Sequence, residues 1–162
     1  MTLLELMLAT AMMATIVTAV SVILRTGYTT WLAQDADTQR MQAVHATLRH
    51  LVRNIRQAEA VMTISAAENN SGSLALLMPS GETYAWAHDT ATSQVRFGLN
   101  SPDHLLAEFI TELSLAGYAA DGVTQTNVPE EIHLIHCTAR TSLPSGTGGA
   151  NAISSWAWIR AW

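Results

Sequence analysis

The sequence predicts an α+β fold in which one long N-terminal α-helix carries, on its second half, a C-terminal antiparallel β-sheet head. Three observations lead to this prediction. The first 24 residues contain a single charge, Glu5. Apolar residues then recur at helical spacing between Met41 and Ile55. From residue 61 onward, short apolar runs are separated by turns rich in Gly, Pro, Asn and Asp.

The first half of the predicted helix is long enough to cross a membrane. Leu6 to Leu24 holds 19 residues, which would span about 28 Å against roughly 30 Å of bilayer hydrocarbon. No Lys or Arg precedes this run, and no small-residue cleavage site ends it, so it is not typical of a secretory signal. We expect either a plain N-terminal anchor or a chain that has lost a basic leader in front of Met1.

The second half of the predicted helix is amphipathic. With no Pro before residue 60, one helix from about Thr2 to Ala58 would be on the order of 85 Å long, far more than a domain of this size can cover. The first half must therefore project and be buried in lipid or in copies of itself. We divide the chain into residues 1–28, 29–60 and 61–162. The apolar stripe expected to face the head consists of Met41, Val44, Leu48, Leu51, Val52 and Ile55.

The head is predicted as strands joined by turns. Residues 73–78 and 82–87 are predicted to form a hairpin around the turn Pro79-Ser80-Gly81. Residues 94–97 alternate as in a strand, and residues 143–151 are expected to form a flexible loop. We expect Phe109, Thr111, Leu113 and Leu115 to share one face of a strand, and Pro129 to open a strand that continues to about Thr141.

The C-terminal segment places Trp156, Trp158 and Trp162 on one face of a strand. Three exposed Trp side chains would form an apolar patch that favours association. We therefore expect at least two of them to be buried, against the helix stripe or a neighbouring head. The alternative is an exposed platform that binds a sugar or another adhesive target.

Glu5 stands out because an unpaired acid in hydrocarbon costs several kcal/mol. Arg25 is about 20 residues further along the helix and out of reach. The remaining positive charge is the α-amino group of Met1, on this chain or on a neighbour. Alternatively, Glu5 lies among lipid headgroups and needs no partner.

The start of the chain, Met1-Thr2-Leu3-Leu4-Glu5-Leu6 followed by an apolar helix, resembles the mature N-terminus of type IV pilins and type II secretion pseudopilins. The resemblance implies a pilin-like fold and removal of a basic leader by a prepilin peptidase, which also methylates Met1. It further implies that Glu5 pairs with the N-terminal amine of a neighbouring subunit during assembly. Residues 48–58, 105–115 and 118–122 are similar to J-type minor pseudopilins and W-type minor pilins.

The resemblance also implies where the helix packs. In the filament core the contacts would come from Leu3, Leu4, Leu6, Leu8, Ile16, Val20 and Ile23. From the apolar pattern itself, we expect the contacts between helix and head to come from Met41, Val44, Leu48, Leu51, Ile55, Trp156 and Trp158. Two features differ from the family pattern: many major pilins have Pro where this chain has Val22, and no cysteine pair closes a C-terminal loop.

Composition and motifs argue against most other chemistry. All eight basic residues are Arg, the net charge is −5, and residues 61–162 hold nine acids and three Arg, so nucleic acid is not an expected partner. The single cysteine, Cys137, is expected to be a buried hydrophobe. His133, His136 and Cys137 lack a second ligand cluster, so we expect no metal and no cofactor. No nucleotide-binding or hydrolase motif is present.

The leading hypothesis is a structural subunit of a type IV pilus-like filament, held in the inner membrane before assembly and then found in a cell-surface or periplasmic filament. Its partners would be copies of itself or other pilins, with a prepilin peptidase and an assembly platform implied by the resemblance. The alternative within this class is a minor pseudopilin that primes or caps a type II secretion pseudopilus. From other classes, we consider a membrane-anchored periplasmic binding module and, for lack of a site, give least weight to an anchored enzyme.

Overall fold

The α+β prediction is confirmed by the computed structural model, which describes residues 2–146 and 150–160. A single long helix, α1 (Leu3–Ile55), is followed by the strands of the head. The strands are β1 (Ala60–Ile64), β2 (Ser73–Leu77), β3 (Thr83–Asp89), β4 (Gln94–Leu99), β5 (His104–Ala107), β6 (Glu112–Tyr118), β7 (Leu134–Ser142) and β8 (Ala150–Trp158), with a 3₁₀ helix over Pro129–Glu131 before β7.

α1 is continuous over 53 residues, which corresponds to about 80 Å. Thr2 caps its first turn, and Arg53 lies in its last turn, where a positive charge interacts favourably with the helix dipole. Residues 2–32 are exposed along their whole length, whereas buried positions begin at Val44. The helix therefore has a free half and a half that belongs to the head.

The described strands of the head form two antiparallel sheets, a division that the sequence did not predict. The larger sheet has the order β1-β2-β3-β4-β5, and the smaller has the order β6-β7-β8. The predicted hairpin is confirmed: β2 and β3 pair from Leu77 opposite Thr83 to Ser73 opposite Ala87. The sheets meet at β6, where Leu113 forms a bridge with Ser71.

The helix-facing stripe is largely as predicted. Val44, Leu48, Leu51 and Ile55 are buried, and Met41 is half-buried. They pack in one core with residues from both sheets, including Trp86, Leu113, Leu115 and Ile135. Two polar residues on the same face, Thr47 and Asn54, are also buried; each donates a hydrogen bond to the carbonyl four residues earlier, Ala43 and His50.

Two strand predictions are wrong. Phe109 and Thr111 lie between β5 and β6, so only Leu113 and Leu115 share the strand face. Phe109 has a φ of 66°, a left-handed conformation that cannot continue a strand. Pro129 opens the 3₁₀ helix, not a strand, and β7 begins five residues later, at Leu134. The missing N–H and fixed φ of proline suit the first position of such a helix.

His88 ties the larger sheet to the segments on either side of it. It is 4% exposed, with Nδ1 3.1 Å from the Asn70 carbonyl oxygen and Nε2 2.8 Å from that of Ile110. Asn70 lies before β2, and Ile110 lies in the connection between the two sheets. A neutral imidazole carries one N–H, so the protonated ring nitrogen donates one hydrogen bond to a carbonyl at the junction where the chain passes from one sheet to the next.

Candidate functional site

The free half of α1 exposes the residues that the sequence assigned to a filament core. Exposed fractions range from 49% at Val20 to 78% at Leu3. The other members of the set, Leu4, Leu6, Leu8, Ile16 and Ile23, fall between these values. Covering side chains of this kind contributes roughly 1.5 to 3 kcal/mol each. The head does not cover this apolar surface.

The hydroxyl groups within this apolar segment are satisfied by the helix itself. Thr10 donates to the carbonyls of Leu6 and Met7, and Thr18 donates to Ala14 at 2.8 Å. Thr15 and Ser21 make the same kind of bond, to Met12 and Val17. Because these groups need no water, the segment can enter an apolar environment without leaving polar groups unpaired.

Glu5 is part of a reciprocal cap at the start of α1. The Thr2 backbone N–H donates to Glu5 Oε2 at 2.8 Å, and the Glu5 N–H donates to Thr2 Oγ1 at 3.4 Å. The pattern Thr-x-x-Glu is a sequence signal for this capping box, which the predictions for Glu5 did not include. The Glu5 carboxylate therefore caps the helix within the single chain, and it uses only Oε2 to do so. Met1, the expected partner, lies outside the described residues.

α1 is long and apolar enough to cross a membrane. The apolar stretch that gives it this property is not buried within the protein.

No protein family, characterised protein or solved structure with which the chain was compared matches it. The physical properties of the helix and head are therefore the basis for a functional proposal.

The expected packing of Trp156 and Trp158 between helix and head is wrong. The two side chains are 46% and 54% exposed. They share one face of β8, as predicted, opposite to the buried Ala157 and Ile159. The helix side of β8 is formed by Ala157 and Ile159, which are buried. Trp162 lies outside the described residues.

The exposed face of the smaller sheet carries an aromatic cluster. Trp156 stacks on His136 with ring centroids 4.0 Å apart and lies 5.2 Å from Tyr118. The Trp158 ring lies over Gly122, where an added Cβ would be 3.8 Å away. Burial lowers the pKa of His136. The rings cover one another but leave a solvent-facing apolar surface, as in the platform considered as an alternative from the sequence.

The remaining residues that could bind a metal or react chemically do not form a common site. Cys137 is fully buried, and this burial raises the pKa of its thiol to about 12, so it stays protonated at neutral pH. His133 precedes β7, while His136 faces the Trp156 ring. Within residues 2–146 and 150–160, no three His, Cys, Asp or Glu side chains are grouped as a metal site would require.

His50 is a half-buried titratable group of α1 that contacts the core at Trp86. The Trp86 indole Nε1–H donates to His50 Nδ1 at 3.2 Å, and Phe97 packs edge-on against the imidazole at 4.8 Å. Because Nδ1 accepts this bond, the ring is neutral. Burial, with a further contribution from the positive charge of Arg53, lowers the pKa of His50 below 6.5.

We expect the head to lose stability as the pH falls from about 7 to about 5, in part through His50. When the pKa of a histidine is lower in the folded than in the unfolded state, the histidine contributes fully to the free energy of unfolding above its unfolded-state pKa. This contribution falls as the pH drops below that pKa, because the unfolded chain then takes up a proton that the folded chain does not. His50→Gln keeps an acceptor for Trp86 but does not titrate, so its urea midpoint should change less over this range. The exposed His104→Gln serves as control; an equal pH response of wild type and His50→Gln contradicts the assignment.

Proposed function

We propose that the protein is a structural subunit of a type IV pilus-like filament, packed into the filament core through the free half of α1. The supporting observation is that residues 2–32 are exposed on a continuous helix whose other end is built into a folded head. A lipid bilayer can cover this segment before assembly, and the apolar helices of other subunits can cover it afterwards. The proposed locations are therefore the inner membrane and then a cell-surface or periplasmic filament.

The proposal separates two tasks along one helix. Residues 44–55 hold the head by burial of Val44, Leu48, Leu51 and Ile55. The segment before residue 33 makes no buried contact within the chain and is available for other chains. A subunit built in this way can enter an assembly without unfolding its head, because the surface used for assembly is not part of the core.

Glu5 is proposed to add a charge contact to this apolar packing. Its Oε2 accepts from Thr2, while Oε1 has no hydrogen bond to the described residues. An N-terminal amine of a neighbouring subunit can approach this second oxygen. In apolar surroundings such a pair is costly to break, since removal of one partner typically costs about 3 to 5 kcal/mol.

The test is a comparison of three variants in the native host. Glu5→Leu removes both the cap and the charge, Glu5→Gln retains an oxygen for the Thr2 N–H but removes the charge, and Thr2→Ser retains both. We expect filaments to be sharply reduced in the first two and normal in the third, with all three chains present at wild-type levels in the membrane. Filaments are counted by electron microscopy of sheared cell-surface material.

The two roles of Glu5 predict opposite results for Glu5→Gln. If Glu5 acts only as a helix cap, this variant assembles normally, and the proposed pairing is wrong. A normal filament yield from Glu5→Leu would exclude both roles. For a type II secretion pseudopilus, the same variants are scored by export of its substrates, which covers the alternative of a minor subunit that primes or caps the filament.

The exposed aromatic cluster favours one candidate from another class, a membrane-anchored periplasmic binding module. Trp156 and Trp158 present about half of their surface to solvent, which is unusual for secreted proteins without a partner for the patch. In that case Glu5→Leu leaves function unchanged, and Trp158→Ala removes binding. The proposal includes no enzymatic activity, cofactor or metal.

A further inference from the structure

A groove of about 1270 Å³ runs between the packed half of α1 and strand β8. On the helix side it is lined by Arg49, Arg53 and Arg56 at spacings of four and three, which places them on one face. On the strand side it is lined by residues 153–155 and 158–160. It is open at the surface and lies entirely within the head.

The charge of this groove is opposite to that of the chain. Its described lining includes four Arg and two His but no Asp or Glu, in a protein with a net charge of −5. The ion pair found in the described part of the chain joins Arg140 to Glu112, away from the groove. Arg53 and Arg56 therefore have no carboxylate partner among the described residues.

The lining of the groove is also in part apolar. Leu48, Val52 and Ile153 contribute to it. A small inorganic anion would use the Arg side chains and leave these apolar residues uncovered. A ligand that matches both properties has carboxylates along one side and apolar groups along the other.

The strand that borders the groove has a free edge. β8 is the last strand in the order β6-β7-β8 and pairs only with β7 in the described structure. The backbone N–H and C=O groups at such an edge can pair with an extended polypeptide. Arg side chains suit carboxylates because the guanidinium group binds both oxygens at once.

We propose that this groove binds an acidic, extended polypeptide segment of a partner protein, which adds to the edge of β8 and places alternate Asp or Glu side chains against Arg49, Arg53 and Arg56. The inference does not depend on the proposed filament function, because every residue of the groove belongs to the head.

Lipid headgroups do not fit the position of the groove. Arg49 is 25 residues beyond Leu24, the end of the apolar run, or about 37 Å along a straight helix. A nucleic-acid backbone has no amide groups that could pair with the free edge of β8. A polypeptide supplies both the carboxylates for the Arg side chains and the backbone groups for this edge.

The experiment uses the full chain in a non-ionic detergent and a labelled octapeptide that alternates Glu and Val, with a Gln-Val peptide as control. We expect saturable binding by fluorescence anisotropy, weakened by added salt. The double variant Arg53→Gln/Arg56→Gln should weaken binding about tenfold. Arg25→Gln, an equal change of charge on the free half of the same helix, should leave binding unchanged.

Further readouts locate the peptide and identify competing occupants. Hydrogen exchange should slow at the β8 amides when the peptide binds, and near-ultraviolet circular dichroism should show that the double variant is folded. Equal binding of the Gln-Val peptide, equal weakening by Arg25→Gln, or complete competition by inorganic phosphate overturns the proposal. Self-association that the peptide abolishes would identify a second copy of the chain as the source of the segment.

Discussion

Removal of residues 1–28 is expected to convert the chain into a soluble, monomeric and folded domain. The deleted segment includes the exposed apolar run and no buried residue among those described, whereas Val44, Leu48, Leu51 and Ile55 remain. The core is therefore left intact, and the exposed apolar surface of the helix is gone. Sedimentation velocity without detergent and near-ultraviolet circular dichroism measure the two properties.

A longer deletion provides the matched control. Removal of residues 1–48 also takes Val44, Thr47 and Leu48 from the core. Loss of a single large apolar side chain from a core typically costs about 2 to 5 kcal/mol, so loss of this set should unfold the head. If the shorter deletion is unfolded or still binds membranes, the division of α1 into a free half and a packed half is wrong.

Trp86 and Trp158 should respond to substitution in opposite ways. Trp86 is 1% exposed and lies among the rings of His50, Tyr84 and Phe97. Trp86→Ala should lower the free energy of unfolding by about 3 to 5 kcal/mol. Trp158 is 54% exposed, and Trp158→Ala should cost about 1 kcal/mol. Urea titrations followed by near-ultraviolet circular dichroism give both values.

This pair also tests the corrected position of the C-terminal strand. A large loss of stability in Trp158→Ala would indicate that its ring is buried by a contact other than those described. If the loss is small and the variant no longer attaches to a surface or glycan, the aromatic cluster is a binding platform. If the loss is small and filaments fail to form, the cluster is a contact between heads.

Local sequence patterns were sufficient for the parts of the fold that depend on local periodicity. The stripe at Val44, Leu48, Leu51 and Ile55 follows the helical repeat, so its burial could be predicted before the head was known. The β2–β3 hairpin followed from the turn at Pro79-Ser80-Gly81. The break at Phe109 could not be predicted in this way, because left-handed residues are usually Gly and a Phe carries no such signal.

The choice between two faces of a strand was the main error at the candidate sites. Alternation correctly places Trp156 and Trp158 on one side of β8, but it does not say which side meets the helix. That choice depends on the pairing of β8 with β7 and on the packing of α1, which bury Ala157 and Ile159. The basic groove could not be predicted for a similar reason: Arg49, Arg53 and Arg56 lie close together on α1, but β8, which completes the groove, is distant in sequence.

The uninterrupted helix α1 sets the orientation of the head as well as its distance from the N-terminal end. Each helical residue advances about 100° around the axis and 1.5 Å along it. The direction that Glu5 faces at one end thus fixes the direction that the head faces at the other, through the 53 residues of α1. One residue added within the exposed residues 29–32 would turn the head by about a quarter of a circle while barely raising it. Seven added residues would raise it by about 10 Å and restore its direction to within about 20°. In the proposed filament, the length of this segment would therefore set which side of the head meets each neighbouring subunit, and a small insertion there would change that contact without altering the surface of the head.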